Sequence, residues 1–146
     1  MDILNKENVR DKYIFVKTFP SENKAINKYL EDHKDVLLTR KIKKFNKDNW
    51  YEWGAPRNIS VMEKHIGEPC IYVKNVSRDA KIAFIGNIEY FGGSLLMLKP
   101  MQKVNLNVVV DYLNNNVFKN HYMYSGRFKI GQRQLKMANI NCKNII

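Results

Sequence analysis

A chain of 146 residues, 45% hydrophobic and 12% aromatic, has the size and composition of one folded domain with its own core, which excludes a disordered tail. Lysine and arginine number 25 against 14 aspartate and glutamate, and the net charge of +11 favours polyanionic partners, nucleic acid before an acidic membrane surface. Two distant cysteines, Cys70 and Cys142, exclude a disulfide framework, and no stretch approaches the ~18 apolar residues of a membrane span or forms a signal-peptide core; a reduced, cytoplasmic chain without membrane attachment is expected.

In chain order, Tyr13-Ile14-Phe15-Val16 reads as a strand of β-branched and aromatic residues. Ser21 is placed to cap a helix on which Ile26, Tyr29, Leu30, His33 and Leu37 recur at helical spacing, with Lys24, Lys28, Glu31 and Lys34 outward. His33 is expected as a partly buried packing residue, since Leu37 occupies the i+4 position where a second metal ligand would stand. A basic run, Arg40 to Lys47, leads into Asn49-Trp50-Tyr51-Glu52-Trp53-Gly54-Ala55-Pro56-Arg57-Asn58, where Gly54 and Pro56 break regular structure.

Residues 59 to 63 fit a short strand or a helix. Gly67-Glu68-Pro69 predicts a turn, Cys70 to Val73 a strand, Asn75 to Asp79 a polar connection and Ala80 to Ile85 the next strand. Gly86-Asn87 is a turn signal, Ile88 to Tyr90 a brief strand, and Ser94 to Leu98 an apolar strand stopped by Pro100. Asn107 could cap a helix carrying Val108, Val109, Tyr112 and Leu113, which Asn114 to Asn116 interrupt before a second short helix at Val117. These elements predict an α+β fold, a mostly antiparallel twisted sheet with flanking helices, as a single domain over residues 1–146.

The chain carries few residues in catalytic constellations. No glycine-rich nucleotide loop is present, and His33, His65, His121, Cys70 and Cys142 lack metal-ligand spacing. Ser60, Ser77, Ser94 and Ser125 have no nucleophile-elbow context, and Glu63-Lys64 is only a faint echo of a nuclease pair.

Basic residues are concentrated instead. From Tyr112 to Ile146 there is no Asp or Glu, while Lys119, Arg127, Lys129, Arg133, Lys136 and Lys143 all fall there. Within Tyr124-Ser125-Gly126-Arg127-Phe128-Lys129-Ile130-Gly131-Gln132-Arg133-Gln134-Leu135, Arg and Gln suit guanine and adenine edges, and Lys and Ser suit phosphates. Arg57-Asn58 offers the same base-reading chemistry. A solvated surface turn is the plain alternative. Trp50 and Trp53 fit core or wall positions better than base-stacking platforms, and together form a candidate structural aromatic wedge.

The segment Phe45 to Asn58 resembles one found in the C-terminal part of N6-adenine DNA methyltransferases of restriction–modification systems, and Tyr124 to Leu135 is similar to the segment closing them. The resemblance is to the target-recognition domain of TaqI-like enzymes and type I specificity subunits, and it covers roughly residues 10 to 142. It implies sequence-specific recognition of double-stranded DNA. The catalytic half of such enzymes carries an S-adenosylmethionine-binding loop and an Asn-Pro-Pro-Tyr-type loop; neither is found here, and the four prolines stand singly. The resemblance therefore implies that S-adenosylmethionine and methyl transfer belong to a separate catalytic part or chain.

On this reading Arg40, Lys43, Lys44, Lys119, Lys129 and Lys136 are candidates for phosphate, with Ser125 beside them. Arg57, Asn58, Arg127, Gln132, Arg133 and Gln134 are candidates for base edges. No catalytic residue, metal site or cofactor of its own is expected. The rival readings are a small restriction endonuclease, a partner-dependent methyltransferase subunit, and a non-enzymatic module binding protein or RNA.

Overall fold

The computed structural model describes residues 1–55 and 58–140, and the chain divides into two compact units: Met1 with Lys12–Ile59, and Asp2–Asp11 with Ser60–Ile146. Pro56, Arg57, Cys142 and Lys143 lie outside the described residues.

In the first unit, α1 (Lys24–Asp32) and α2 (Lys34–Leu38) follow one another with a break at His33. Asn23, not Ser21, caps α1, its Oδ1 accepting from the Ala25 and Ile26 amides at 3.0 and 3.1 Å. Ser21 instead holds the approach to the helix, donating from its amide and its hydroxyl to Asn27 Oδ1. His33 is exposed rather than partly buried, because its Nδ1 lies 2.7 Å from the Tyr29 carbonyl and its ring rests against Tyr29 outside the core. Val16, Leu30 and Trp50 form that core, with Ile14, Phe19, Ile26, Leu37, Leu38 and Tyr51 packed around them.

Residues 13–16, expected as a strand, are extended but join no sheet among the described residues. Tyr13 alone of them pairs with Met1, exchanging both backbone bonds at 2.8 Å. The Ile14 carbonyl is taken instead by the Trp53 indole N–H at 2.7 Å, so a side chain fills the acceptor that a neighbouring strand would have used.

The second unit holds the sheets. β1 (Asp2–Lys6) and β2 (Val9–Lys12), which carry no clear strand signal in the sequence, pair around Glu7-Asn8, with Asn8 at φ 60°. A helix, α3 (Ile59–Met62), and a 3₁₀ turn over Glu63–His65 settle the stretch that fitted either strand or helix. β3 (Pro69–Lys74) lies between β5 (Ala83–Asn87) and β6 (Leu95–Leu98), antiparallel to both, with Ile71 opposite Ile85 and Leu98. A second three-stranded sheet has β8 (Arg127–Lys129) between β4 (Val76–Ser77) and β7 (Met123–Tyr124). The α+β class and antiparallel pairing are as expected, although pairing among the described residues is shared by small sheets instead of one continuous sheet.

β3 is buried on both faces, which explains its unbroken apolar run. Ile71 and Val73 enter a core with Ile82, Leu113, Phe118, Phe128, Ile130 and Leu135, whereas Cys70 and Tyr72 enter another with Leu4, Met62, Phe84, Ile88 and Leu95. The helices α4 (Leu106–Asn114), α5 (Asn116–Asn120) and α6 (Gln132–Met137) contribute to the first of these cores through Val109, Val110, Leu113, Phe118 and Leu135. Asn105, two residues before the expected Asn107, caps α4, and Asn115 caps α5.

Gly86-Asn87, expected as a turn, lies inside β5. There a Cβ on Gly86 would stand 3.0 Å from the Tyr72 ring, so the glycine serves close approach between strands and not chain reversal. The Ile88 to Tyr90 segment forms no strand of its own.

Cys70 is fully buried, and burial raises its thiol pKa to about 11. In a Cys142→Ser background, Cys70 is expected to resist Ellman's reagent at pH 8 in the native chain and to react stoichiometrically in denaturant. Rapid native labelling would show that this part of the core opens readily.

Candidate functional site

Each unit presents its own set of basic side chains. In the first unit, the Arg40 guanidinium is turned inward: Nε donates to the Leu37 carbonyl at 2.8 Å, Nη1 to Glu52 at 3.0 Å and Nη2 to Trp50 at 2.6 Å. It also lies 3.9 Å over the Phe45 ring. Its burial lowers the guanidinium pKa from its ordinary value. Lys43 is half-buried and paired with Glu52 at 2.7 Å. Lys41, Lys44 and Lys47 are exposed, as is Asn58, which sits at φ 58°. The structure thus spends Arg40 on tying α2 to the aromatic segment and leaves the outward charge of the basic run to its lysines.

Both indoles are built into the packing. Trp50 is 3% exposed and meets Phe19 edge-on at 4.9 Å; Trp53 meets Phe15 edge-on at 5.2 Å, with its N–H held by Ile14. Gly54 faces Ile42, whose atoms would lie 3.0 Å from a Cβ placed there.

In the second unit, β7 and β8 form a hairpin whose two-residue turn is Ser125-Gly126, at φ 49° and 75°. Positive φ at both central positions matches the right-handed twist of the strands, and glycine occupies one of them without steric cost. Phe128 is 2% exposed and pins the hairpin to the core, while Arg127 and Lys129 on either side of it are exposed. The chain then enters α6, where Leu135 faces inward and Gln132, Arg133 and Lys136 face solvent.

Gln134 serves the fold, since its Oε1 accepts the Gly131 amide at 2.8 Å and closes the first turn of α6. Lys119 reaches from α5 to the Ala80 carbonyl at 2.6 Å and is half-buried. Along the segment Ser125, Arg127, Lys129, Gln132, Arg133 and Lys136 are thus exposed, whereas Gln134 and, on α5, Lys119 are engaged with backbone groups.

Sequence reasoning alone misses Tyr124, which is 66% exposed, with the Lys129 ammonium 5.9 Å from its ring centroid. The signal is an aromatic directly before a Ser-Gly turn, and it is legible only once the hairpin register is known. Among the described residues no cluster of His, Cys, Asp and Glu is arranged to hold a metal ion, and no helix is long and apolar enough to cross a membrane.

Comparison with known proteins adds a partial match. The chain is 28% identical over 145 residues to the Type II methyltransferase M.MjaIV of Methanocaldococcus jannaschii, covering 94% of this chain and 47% of that protein. It thus spans about half the length of the curated relative it matches. No family model matches the chain, and no solved structure does.

Proposed function

We propose that this chain is the target-recognition part of a DNA adenine methylation system of the restriction–modification kind. It would bind double-stranded DNA in a sequence-specific way, with methyl transfer carried out by another chain or part that holds S-adenosylmethionine. The observation that carries this reading is the hairpin–helix segment, where Arg127, Lys129, Arg133 and Lys136 are exposed along with Ser125 and Gln132, in a stretch of sequence from Tyr112 to Ile146 that has no Asp or Glu. Similarity to half of a type II methyltransferase supports it. Lys44, Lys129 and Lys136 would hold phosphates; Arg57, Asn58, Arg127, Gln132 and Arg133 would face base edges. Arg40, Lys43, Lys119 and Gln134 would act mainly by holding these elements in shape.

The test is a titration of duplex DNA at two salt concentrations. Affinity is expected to fall steeply as salt rises, and Lys129→Ala or Lys136→Ala to weaken all sequences alike while reducing the log–log salt slope by about 1 each. A salt-independent affinity would remove the electrostatic basis of the reading. The half-length match favours one further reading, a subunit that works only with a catalytic methyltransferase chain. Labelled S-adenosylmethionine should then yield no methyl transfer with this chain alone and transfer once the partner is added. Cleavage of plasmid with Mg²⁺ would point to an endonuclease instead.

A further inference from the structure

The outward face of the β4–β8–β7 sheet combines features that the order of residues conceals. Tyr124 stands opposite Arg127 and Val76 opposite Lys129, so strand alternation puts these four side chains on one face, away from buried Phe128. On that face Tyr124 is 66% and Val76 43% exposed, and the Lys129 ammonium lies beside the tyrosine ring. The ribbon is held firmly from behind: Phe128 is in the core, the Ile130 amide donates to the Asn75 carbonyl at 2.9 Å, and the Lys129 amide to Tyr122 at 2.9 Å.

An exposed ring of this size adds nothing to the core, yet it sits directly before the turn, opposite Arg127 and beside Lys129, where the β7–β8 hairpin runs past its pairing with β4 as a two-stranded tip of the sheet. A two-stranded ribbon fits the major groove of duplex DNA, where an aromatic or methyl-bearing side chain makes apolar contact with a base and arginine forks onto guanine. Resting on the reading that the chain binds duplex DNA, we propose that Tyr124 is a specificity-determining residue. Its ring contacts a base in the groove, Arg127 takes the neighbouring base edge, and Lys129 the adjoining phosphate.

The experiment is selection of bound sequences from a random duplex library by the wild-type chain, Tyr124→Ala and Tyr124→Phe, with circular dichroism confirming that each variant folds. The wild type should enrich a motif. Tyr124→Ala should lose the base preference at one position and bind the preferred duplex about tenfold more weakly, with an unchanged salt slope. Tyr124→Phe should keep both preference and affinity. Retention of every preference by Tyr124→Ala overturns the proposal, as does a loss accompanied by a flatter salt slope, which would mark a backbone role. Wild-type binding without any sequence preference also overturns it, while leaving DNA binding intact. Failure of the wild type to bind any duplex at low salt removes the underlying reading and this inference together.

Discussion

Replacing Asn114 with alanine is expected to destabilise the second unit by about 3 kcal/mol, one of the two largest losses anticipated for a single side chain here. Asn114, the last residue of α4, sends its amide group across to the start of β5. Its Oδ1 accepts the Ile82 and Ala83 amides at 2.7 and 2.9 Å, and its Nδ2 donates to the Ala83 carbonyl at 2.9 Å. Ile82 and Ala83 are both 0% exposed, so truncation strands three backbone groups where water cannot reach them. Chemical denaturation should show a lower midpoint with an unchanged slope, and hydrogen exchange should accelerate first at Ile82 and Ala83. A loss below about 1 kcal/mol would mean that the edge re-pairs or admits water.

Arg40→Ala is expected to cost the first unit about 2–3 kcal/mol, because three carbonyls on two segments lose one planar donor and Phe45 loses the cation over its ring. Arg40→Lys should rescue little, since an ammonium on a flexible stem cannot reproduce the fork that meets Leu37, Trp50 and Glu52. Trp50 and Trp53 report directly: their emission should shift to the red at lower temperature or denaturant than in the wild type. A phosphate-binding role predicts a different outcome, full stability with weaker DNA affinity and a flatter salt slope. The two variants thus separate charge used to fold the chain from charge left to bind a partner.

What can be read from the chain in advance divides along a physical line. Cys70 to Val73 and Ser94 to Leu98 are legible as strands because unbroken apolar runs between turn signals leave little else. The helix around Val109 and Leu113 is legible from its spacing, and only its cap moves, from Asn107 to Asn105. Elsewhere a side chain replaces a backbone partner, or a contact replaces a local preference. Asn114 reads as a helix breaker and is the pairing partner of a strand edge. Gly86 reads as a turn and makes room for Tyr72. Tyr13 to Val16 has strand chemistry but gives an acceptor to an indole. Such substitutions join residues up to 39 positions apart and leave no local trace.

The same limit applies to the candidate site. Residue type identifies Arg127, Lys129 and Arg133 as donors, and the structure leaves them exposed. Composition cannot reveal that Arg40, Lys119 and Gln134 are tied to backbone groups, because side-chain direction is set by packing. Tyr124 is easily passed over, since an aromatic before a turn is ordinarily a core residue.

The second unit is discontinuous in sequence: residues 2–11 belong with the chain from Ser60 onward, and the first unit is the intervening stretch. During vectorial synthesis the intervening stretch is complete when Ile59 leaves the ribosome. The earlier hairpin must by then wait for partners far downstream, since Arg10 pairs with Glu89 at 2.5 Å, Lys81 with Glu7 at 2.9 Å, and the Ser94 hydroxyl donates to the Asn5 carbonyl at 2.9 Å. Trimming the first eleven residues to tidy an expression clone would therefore remove β1, all but the last residue of β2, and these ties, not a tail. A slow ribosome would lengthen the interval in which that hairpin stands without them.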